Sequence, residues 1–373
     1  MIIDEEAIKF TILENVPEDP RRGHWDKILL KREPKSPVIV LKKQNSIVHE
    51  MRRQHTWVSE FILLGFSSHP KIQVVLFFTF LIVYMIIFIG NLLIIVLILT
   101  DTNLHTPMYF FLSNLSFLDI CYSTTTVPRI LRDLVSAKKI ISYTECATQL
   151  YMNVCLGVTE CILLVIMAYD RYVAICHPLH YTTIMSKLFC IRIAAGTWLA
   201  GLTIPITHVI LTLNVDLCGN NKLNSFLCNI PEILTLSCEN TNLIDFFIFV
   251  TGVIVLMTPV MLIVVSYIQI ILSIFKIVSS EGRRKAFSTC GSHIIVVTMF
   301  YGSAIADYMK PKSSSKSGTG KLFAIFYCIF TSMLNPAVYS LRNNDVKAAF
   351  QKFKSRFFSG NSRKVSYNER VYS

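Results

Sequence analysis

From Val74 onward, long apolar runs alternate with short polar connectors, and the runs are too long for the helices of a soluble domain. A bilayer crossing needs ~20 mostly apolar residues. Seven runs satisfy that length: 74–99, 107–130, 147–170, 190–211, 245–273, 286–308 and 321–341. The pattern predicts an all-α membrane protein with a seven-transmembrane helix bundle over 74–341. Pro128, Pro205, Pro259 and Pro336 lie inside or beside these runs. They fit membrane helices, whose neighbours satisfy the carbonyls a proline frees. An odd number of crossings puts the two ends of the chain on opposite sides.

The flanks read differently. Residues 1–50 mix charges with prolines and hold no apolar run that suits a signal peptide. They are expected to be a disordered N-terminal extension, with Met51 a candidate start and 51–73 an extracellular leader. The tail, 342–373, is basic, and Phe350, Phe353, Phe357 and Phe358 suit a short amphipathic helix lying on anionic lipid.

Composition strengthens the membrane reading: 53% of residues are hydrophobic and 16% charged, and the mean hydropathy is +0.51. The net charge of +12 does not imply nucleic acid, because it is spread over connectors and the tail. Basic residues gather after the third run (Arg171, Lys187, Arg192), before the sixth (Lys276, Arg283, Arg284, Lys285) and after the seventh (Arg342, Lys347, Lys352, Lys354, Arg356). Positive-inside asymmetry therefore places the C-terminus in the cytoplasm and the N-terminus outside. Lys310, Lys312, Lys316 and Lys321 run against this trend and are outweighed by the larger clusters.

Polar residues inside the runs carry the chemistry. Asn91, Asp119 and Asn335 stand among apolar neighbours. A charge at mid-bilayer costs ~2.5–3.5 kcal/mol even on the lenient scale, so they must face inward. Interhelical hydrogen bonding accounts for the two asparagines; Asp119 is in addition a candidate site for a sodium ion or a conformational switch. Asp170 and Arg171 are adjacent at the inner end of the third run, where the arginine can pair locally in one state and reach a partner in another. Taken alone, such a pair is also an ordinary interfacial anchor. No HExxH, phosphate loop or nucleophile–base order is present, and inverted repeats typical of transporters are not visible.

Six segments in order resemble the odorant receptors: Gly90-Asn91, LHTPMYFFLSNLSFLDIC at 104–121, MAYDRYVAICHPLHY at 167–181, Ser266-Tyr267, KAFSTCGSH at 285–293 and MLNPAVYSLRN at 333–343. The resemblance spans about 56–350 and points to the tetrapod-type class. It implies a rhodopsin-like fold, a small-molecule odorant as ligand and a stimulatory, olfactory-type heterotrimeric G protein as partner. It also implies residence in the plasma membrane of sensory cilia. By the same resemblance, coupling and switching fall to Asp170, Arg171 and Tyr172, to Lys285 and His293, and to Asn335, Pro336 and Tyr339.

The resemblance is incomplete in places. The glycosylation signal usual before the first span is missing at Gln54-His55-Thr56, and Asn114-Leu115-Ser116 lies in the second span. Asp307 stands where the family generally has an apolar residue. Of the eleven cysteines, Cys146, Cys218, Cys228 and Cys238 face an oxidising compartment, and sequence alone allows three pairings. Resemblance selects Cys146–Cys228 and Cys218–Cys238. Cys121, Cys155, Cys161, Cys176, Cys190, Cys290 and Cys328 are expected to be free.

On the third span, Asn153, Val154, Gly157, Val158 and Cys161 recur at helical spacing and resemble the family's odorant-contacting face. Facing them we expect Thr251 and Val255, then Tyr301, Ile305 and Tyr308, and finally Leu322, Ile325 and Phe326. The same positions could serve helix packing alone. Such a wall suits a mostly apolar ligand. A rhodopsin-like receptor for a non-odorant small molecule or lipid is the nearest alternative. An amine receptor would want an acid facing the pocket from the third span, and Glu160 is the one acid at that depth.

Overall fold

The computed structural model describes residues 59–65, 70–217, 221–238, 240–276, 278–308, 329–341 and 344–356. All belong to the unit Trp57–Ser373. The expected extension 1–50 and the end of the tail lie outside the described residues.

A short strand, β1 (Glu60–Leu63), precedes helix α1 (Pro70–Thr100). Then come α2 (Pro107–Val135), β2 (Ile140–Ser142), α3 (Tyr143–Cys176), α4 (Lys187–Leu213) and β3 (Lys222–Leu223). After these follow α5 (Asn242–Phe275), α6 (Ser280–Tyr308) and α7 (Thr331–Leu341). A last helix, α8, covers 344–356. The helices overrun the expected spans by several residues: α3 begins at Tyr143 rather than 147 and ends at Cys176 rather than 170. Hydropathy marks only the part in hydrocarbon, whereas helices continue into the interface, where capping groups end them. At α3 the Ser142 hydroxyl accepts from the Glu145 N–H while the Glu145 carboxylate accepts from the Ser142 N–H.

Among the described residues four helices, α1, α3, α4 and α5, are apolar and long enough to cross a membrane by composition alone. Their burial differs: 61% of the most apolar stretch of α3 is buried, against 28% for α1 and α4 and 11% for α5. The third helix is therefore the axis, and the others present apolar side chains such as Val75, Leu99, Phe246 and Met261 outward. An exposed apolar surface of that extent belongs against lipid rather than water. The α2 helix is less apolar, because Ser113, Asn114, Ser116, Asp119 and the run 123–126 interrupt its apolar residues. In α6 the apolar part is confined to Cys290–Ala306.

Polar groups stitch the bundle where no water is available. The Asn91 amide donates to the carbonyls of Ile87 (3.0 Å) and Ser332 (3.2 Å), joining α1 to α7. The Asn335 amide donates to Asp119 Oδ2 (2.9 Å), joining α7 to α2. Trp198 Nε1 donates to Asn114 Oδ1 (3.1 Å), so the asparagine of the apparent glycosylation signal is spent tying α4 to α2.

The end of the bundle at which α3 begins carries a feature that sequence reading did not anticipate. β1 lies between β2 and β3, antiparallel to the first and parallel to the second, with Phe61 paired to Ile141 and Leu63 to Leu223. Phe61 and Leu63 are fully buried over Cys146, Leu150, Ile230 and Ile233. The leader is thus part of a lid built with two outer loops. The bridge Cys146–Cys228 is present. Cys238 is also disulfide-bonded, and its N–H donates to Asp216 O (2.9 Å); its expected partner, Cys218, lies outside the described residues.

Packing of α4 on α3 hinges on Gly201. A side chain there would collide with the Thr159 hydroxyl and come within 3.1 Å of the Cys155 carbonyl. Small residues allow such close backbone approach in membranes. Gly201→Val should cost about 1–3 kcal/mol by overpacking. The expected outcome is a severalfold drop in surface-labelled receptor, read by flow cytometry, while Gly196→Val, at a glycine with open space around it, leaves labelling unchanged.

Candidate functional site

Between α3, α4, α5 and α6, under the lid, lies a cavity of about 70 Å³. One water needs ~10–15 Å³ on that scale, so the space suits a small organic molecule. Five cavity residues come from α3: Asn153, Val154, Gly157, Val158 and Cys161. Their spacing repeats every three to four residues, which keeps them on one helical face. Thr251 and Val255 face them from α5, as expected.

The α6 wall departs from expectation. Phe300 and Ala304 line the cavity, and Tyr301 does not. Tyr301 is buried behind the wall, where its hydroxyl donates to the Cys161 carbonyl (2.8 Å) and ties α6 to α3. Ile305 likewise packs into the core. One residue is a rotation of about 100° about the helix axis, so the facing side is the neighbouring register. Nothing can be placed at Tyr308, whose side chain, with Leu322, Ile325 and Phe326, lies outside the described residues.

Sequence reading missed the α4 contribution, Ile204 and His208, as well as Tyr122, Ile230, Ile248, Gly252 and Leu256. His208 signals itself only as a polar residue inside an apolar run. Its Nε2 lies 2.7 Å from Thr251 Oγ1 and its Nδ1 3.3 Å from the Ile204 carbonyl. Thr251 Oγ1 also lies 2.8 Å from the Phe247 carbonyl, so the pair closes α4 against α5.

Below the cavity, Glu160 is buried, with Oε1 lacking a partner, and stands within electrostatic reach of Asp119. Glu160 does not line the cavity. Asp119 Oδ1 and Asn335 Oδ1, like Glu160 Oε1, are buried without partners among the described residues.

Ten residues beyond Cys161, or ~15 Å along the helix, the inner end of α3 holds Asp170 and Arg171. The expected local pair does not form: no ion pair between them occurs among the described residues. Asp170 instead accepts from the Tyr181 hydroxyl (2.8 Å), in the one-turn helix Tyr181–Ile184. Burial first, then the Asp170 carboxylate, pushes the Tyr181 phenol well above its usual range, which keeps it a donor. Arg171 Nη1 contacts Met108 Sδ (3.5 Å), and Nε has no partner among the described residues. Its charge falls near Cys290 and His293 of α6. His293 Nδ1 lies 2.8 Å from the Tyr267 hydroxyl, with the rings stacked, linking α6 to α5. Tyr172 reaches His177 Nε2 (3.0 Å). Pro336 packs against Gly90 so closely that a side chain there would meet its ring at 3.3 Å. The side chains of Lys285 and Tyr339 lie outside the described residues.

Cys121, Cys155, Cys161, Cys176, Cys190 and Cys290 are free, and Cys328 lies outside the described residues. At the inner end Lys352 pairs with Asp101 (3.2 Å), joining α8 to the end of α1. The backbone N–H of Asn103 first, and Lys352 after it, hold the Asp101 carboxyl below its usual range.

Comparison with known proteins accounts for this arrangement. The olfactory receptor family profile matches residues 80–356. The chain is 50% identical to the human "Putative olfactory receptor 2B3" over 299 residues, 80% of this chain and 96% of the relative. Human olfactory receptor 2D2 is 48% identical over 303 residues, 81% and 98% of the two chains. Mouse olfactory receptor 5AR1 is 46% identical over 301 residues, 81% and 97%. A seven-helix membrane bundle with an apolar cavity under a small sheet and adjacent Asp170 and Arg171 at the far end of α3 thus belongs, by the matched sequence, to the olfactory receptor family of G-protein-coupled receptors, which are not enzymes.

Proposed function

We propose that this receptor binds a small, mostly apolar volatile molecule in the cavity between α3, α4, α5 and α6 and activates a stimulatory, olfactory-type heterotrimeric G protein, raising cAMP. The N-terminus lies outside the plasma membrane and the C-terminus in the cytoplasm, in the cilia of olfactory sensory neurons, with basic α8 at anionic lipid. The observation that carries the reading is that one rigid helix, α3, bears both the cavity face and Arg171. A ligand shifts a population only through its different affinity for the two states. Contacts that draw the outer half of α6 inward favour the state in which its inner half swings away from Arg171 and opens a groove for the G protein.

A sodium ion is the cation that the buried oxygens of Asp119, Glu160 and Asn335 would hold. Two carboxylate oxygens and one amide oxygen, without partners among the described residues and deep in the bundle, suit a hard monovalent ion better than they suit each other. Bound there, it would offset the two carboxylates' charge in the resting receptor.

An odorant panel applied to cells carrying the receptor, the olfactory-type G protein and a cAMP reporter tests the whole reading. In Arg171→Ala we expect surface expression and ligand binding to persist and the cAMP response to vanish. A retained response removes Arg171 from coupling. Replacing external sodium by choline at constant ionic strength should shift the agonist dose response of the wild type and leave Asp119→Asn unshifted; an equal shift in both discards the ion site.

A further inference from the structure

The cavity's polar groups, taken one by one, leave a single side chain unspent. The Tyr122 hydroxyl donates to the Asn153 backbone carbonyl (3.3 Å). His208 and Thr251 hydrogen-bond each other, and the one proton left to the pair goes either from Thr251 to the Phe247 carbonyl or from His208 Nδ1 to the Ile204 carbonyl, as the imidazole tautomer decides. The Cys161 carbonyl is taken by Tyr301. The side-chain amide of Asn153, by contrast, makes no hydrogen bond among the described residues, and its Oδ1 is buried. A buried acceptor without a partner is the costly kind of polar group. Asn153 nevertheless sits one and two turns from Gly157 and Cys161, in the middle of an otherwise apolar wall.

We propose that Asn153 is the specificity residue of the cavity and that the receptor selects small apolar molecules carrying one hydrogen-bond donor, a hydroxyl above all. This rests on the reading of the cavity as the odorant site. A hydroxyl can donate to Oδ1 and accept from the amide N–H, so it serves the side chain in either orientation of the amide. An ether or a hydrocarbon of the same shape fills the same space and leaves Oδ1 unpaired. A ketone or ester can meet only the N–H side. A carboxylate or ammonium brings a charge into a space whose walls carry no counter-charge among the described residues, since Glu160 lies outside the lining. Discrimination comes from the absence of a donor rather than from bulk, which is how a site built for a hydroxyl rejects its isosteres.

The test uses matched sets of volatile alcohols, their methyl ethers and the corresponding ketones, of the same chain length, on the full-length receptor with the cAMP reporter and surface labelling. For the best-fitting skeleton, the alcohol should have an EC50 roughly tenfold or more below its ether. In Asn153→Leu, close in volume, the ratio should fall to about one. Because the ratio is taken within one variant, it is independent of how much receptor reaches the surface, and the wild-type ratio stands as a test should Asn153→Leu fail to fold. Equal potency of alcohol and ether in the wild type overturns the donor requirement while leaving the odorant reading intact. A ratio that persists in Asn153→Leu overturns the assignment to Asn153. Silence toward every volatile, with receptor at the surface, overturns both.

Discussion

Hydrocarbon offers no partner to a polar group, and this constraint orders the whole bundle. Every helix must satisfy its own backbone, and every polar side chain within the membrane must find a carbonyl, another side chain or an ion. Thr100, Thr159, Thr197, Thr203 and Thr212 turn their hydroxyls back to carbonyls four residues earlier. Asparagines and the indole of Trp198 reach across to neighbouring helices instead. Unlike apolar contacts, which lipid tails could replace, these bonds have no substitute in the membrane, and they fix which helices adjoin. This pairing leaves buried oxygens without a partner among the described residues on Asn91, Asp119, Thr126, Asn153, Glu160, Asn229 and Asn335.

The third helix gathers these consequences into one rod. Its outer turn is clamped by the Cys146–Cys228 bridge and by the Gln149 side chain, whose Oε1 accepts from the Cys228 N–H (2.9 Å). Its middle carries the cavity face and Glu160, and its inner turn carries Asp170 and Arg171. Tyr301 joins α6 to α3 at Cys161, just below the cavity, through a backbone carbonyl that any side chain at 161 would supply. That link stands on α6 beside the cavity residues Phe300 and Ala304 and about two turns from His293. Coupling along a bundle needs a rigid element with two arrangements rather than a chain of delicate contacts.

Much of this was legible in the sequence, for stated reasons. Apolar runs revealed the helices, α2 and α6 included, because lipid demands length. The α3 cavity face was legible because Asn153, Gly157 and Cys161 repeat at helical spacing, and Thr251 and Val255 followed from α5 in the same way. On α6 the side toward the cavity depends on how the helix is rotated, which the packing of Tyr301 against α3 decides and no spacing rule contains. Reading Tyr301 and Ile305 where Phe300 and Ala304 stand is an error of one residue in rotation. His208 was hidden because α4 shows its apolar residues almost all round, so no face stood out. The leader strand was hidden because four residues, Glu60–Leu63, carry too little periodicity to read, and its partners are 80 and 160 residues away.

That strand bears on how a signal can start. β1 is held on one edge by the loop before α3 and on the other by the loop before α5, and the disulfide pins the second loop to α3. Phe61 and Leu63 press on Cys146 and Leu150, so the leader, both loops and the top of α3 form one packed unit. The inner end is held differently. Cys176 contacts Ser273 Oγ (3.1 Å) between α3 and α5, and α6 meets α5 through Tyr267–His293 and the edge-to-face rings of Phe275 and Phe287. Hydrogen bonds between side chains and a pair of rings can be exchanged for other contacts at modest cost, whereas a covalently pinned sheet cannot be rearranged without being broken. The end closed by the disulfide and the sheet is therefore the harder of the two to rearrange, and the end where side-chain contacts join α3, α5 and α6 is the easier.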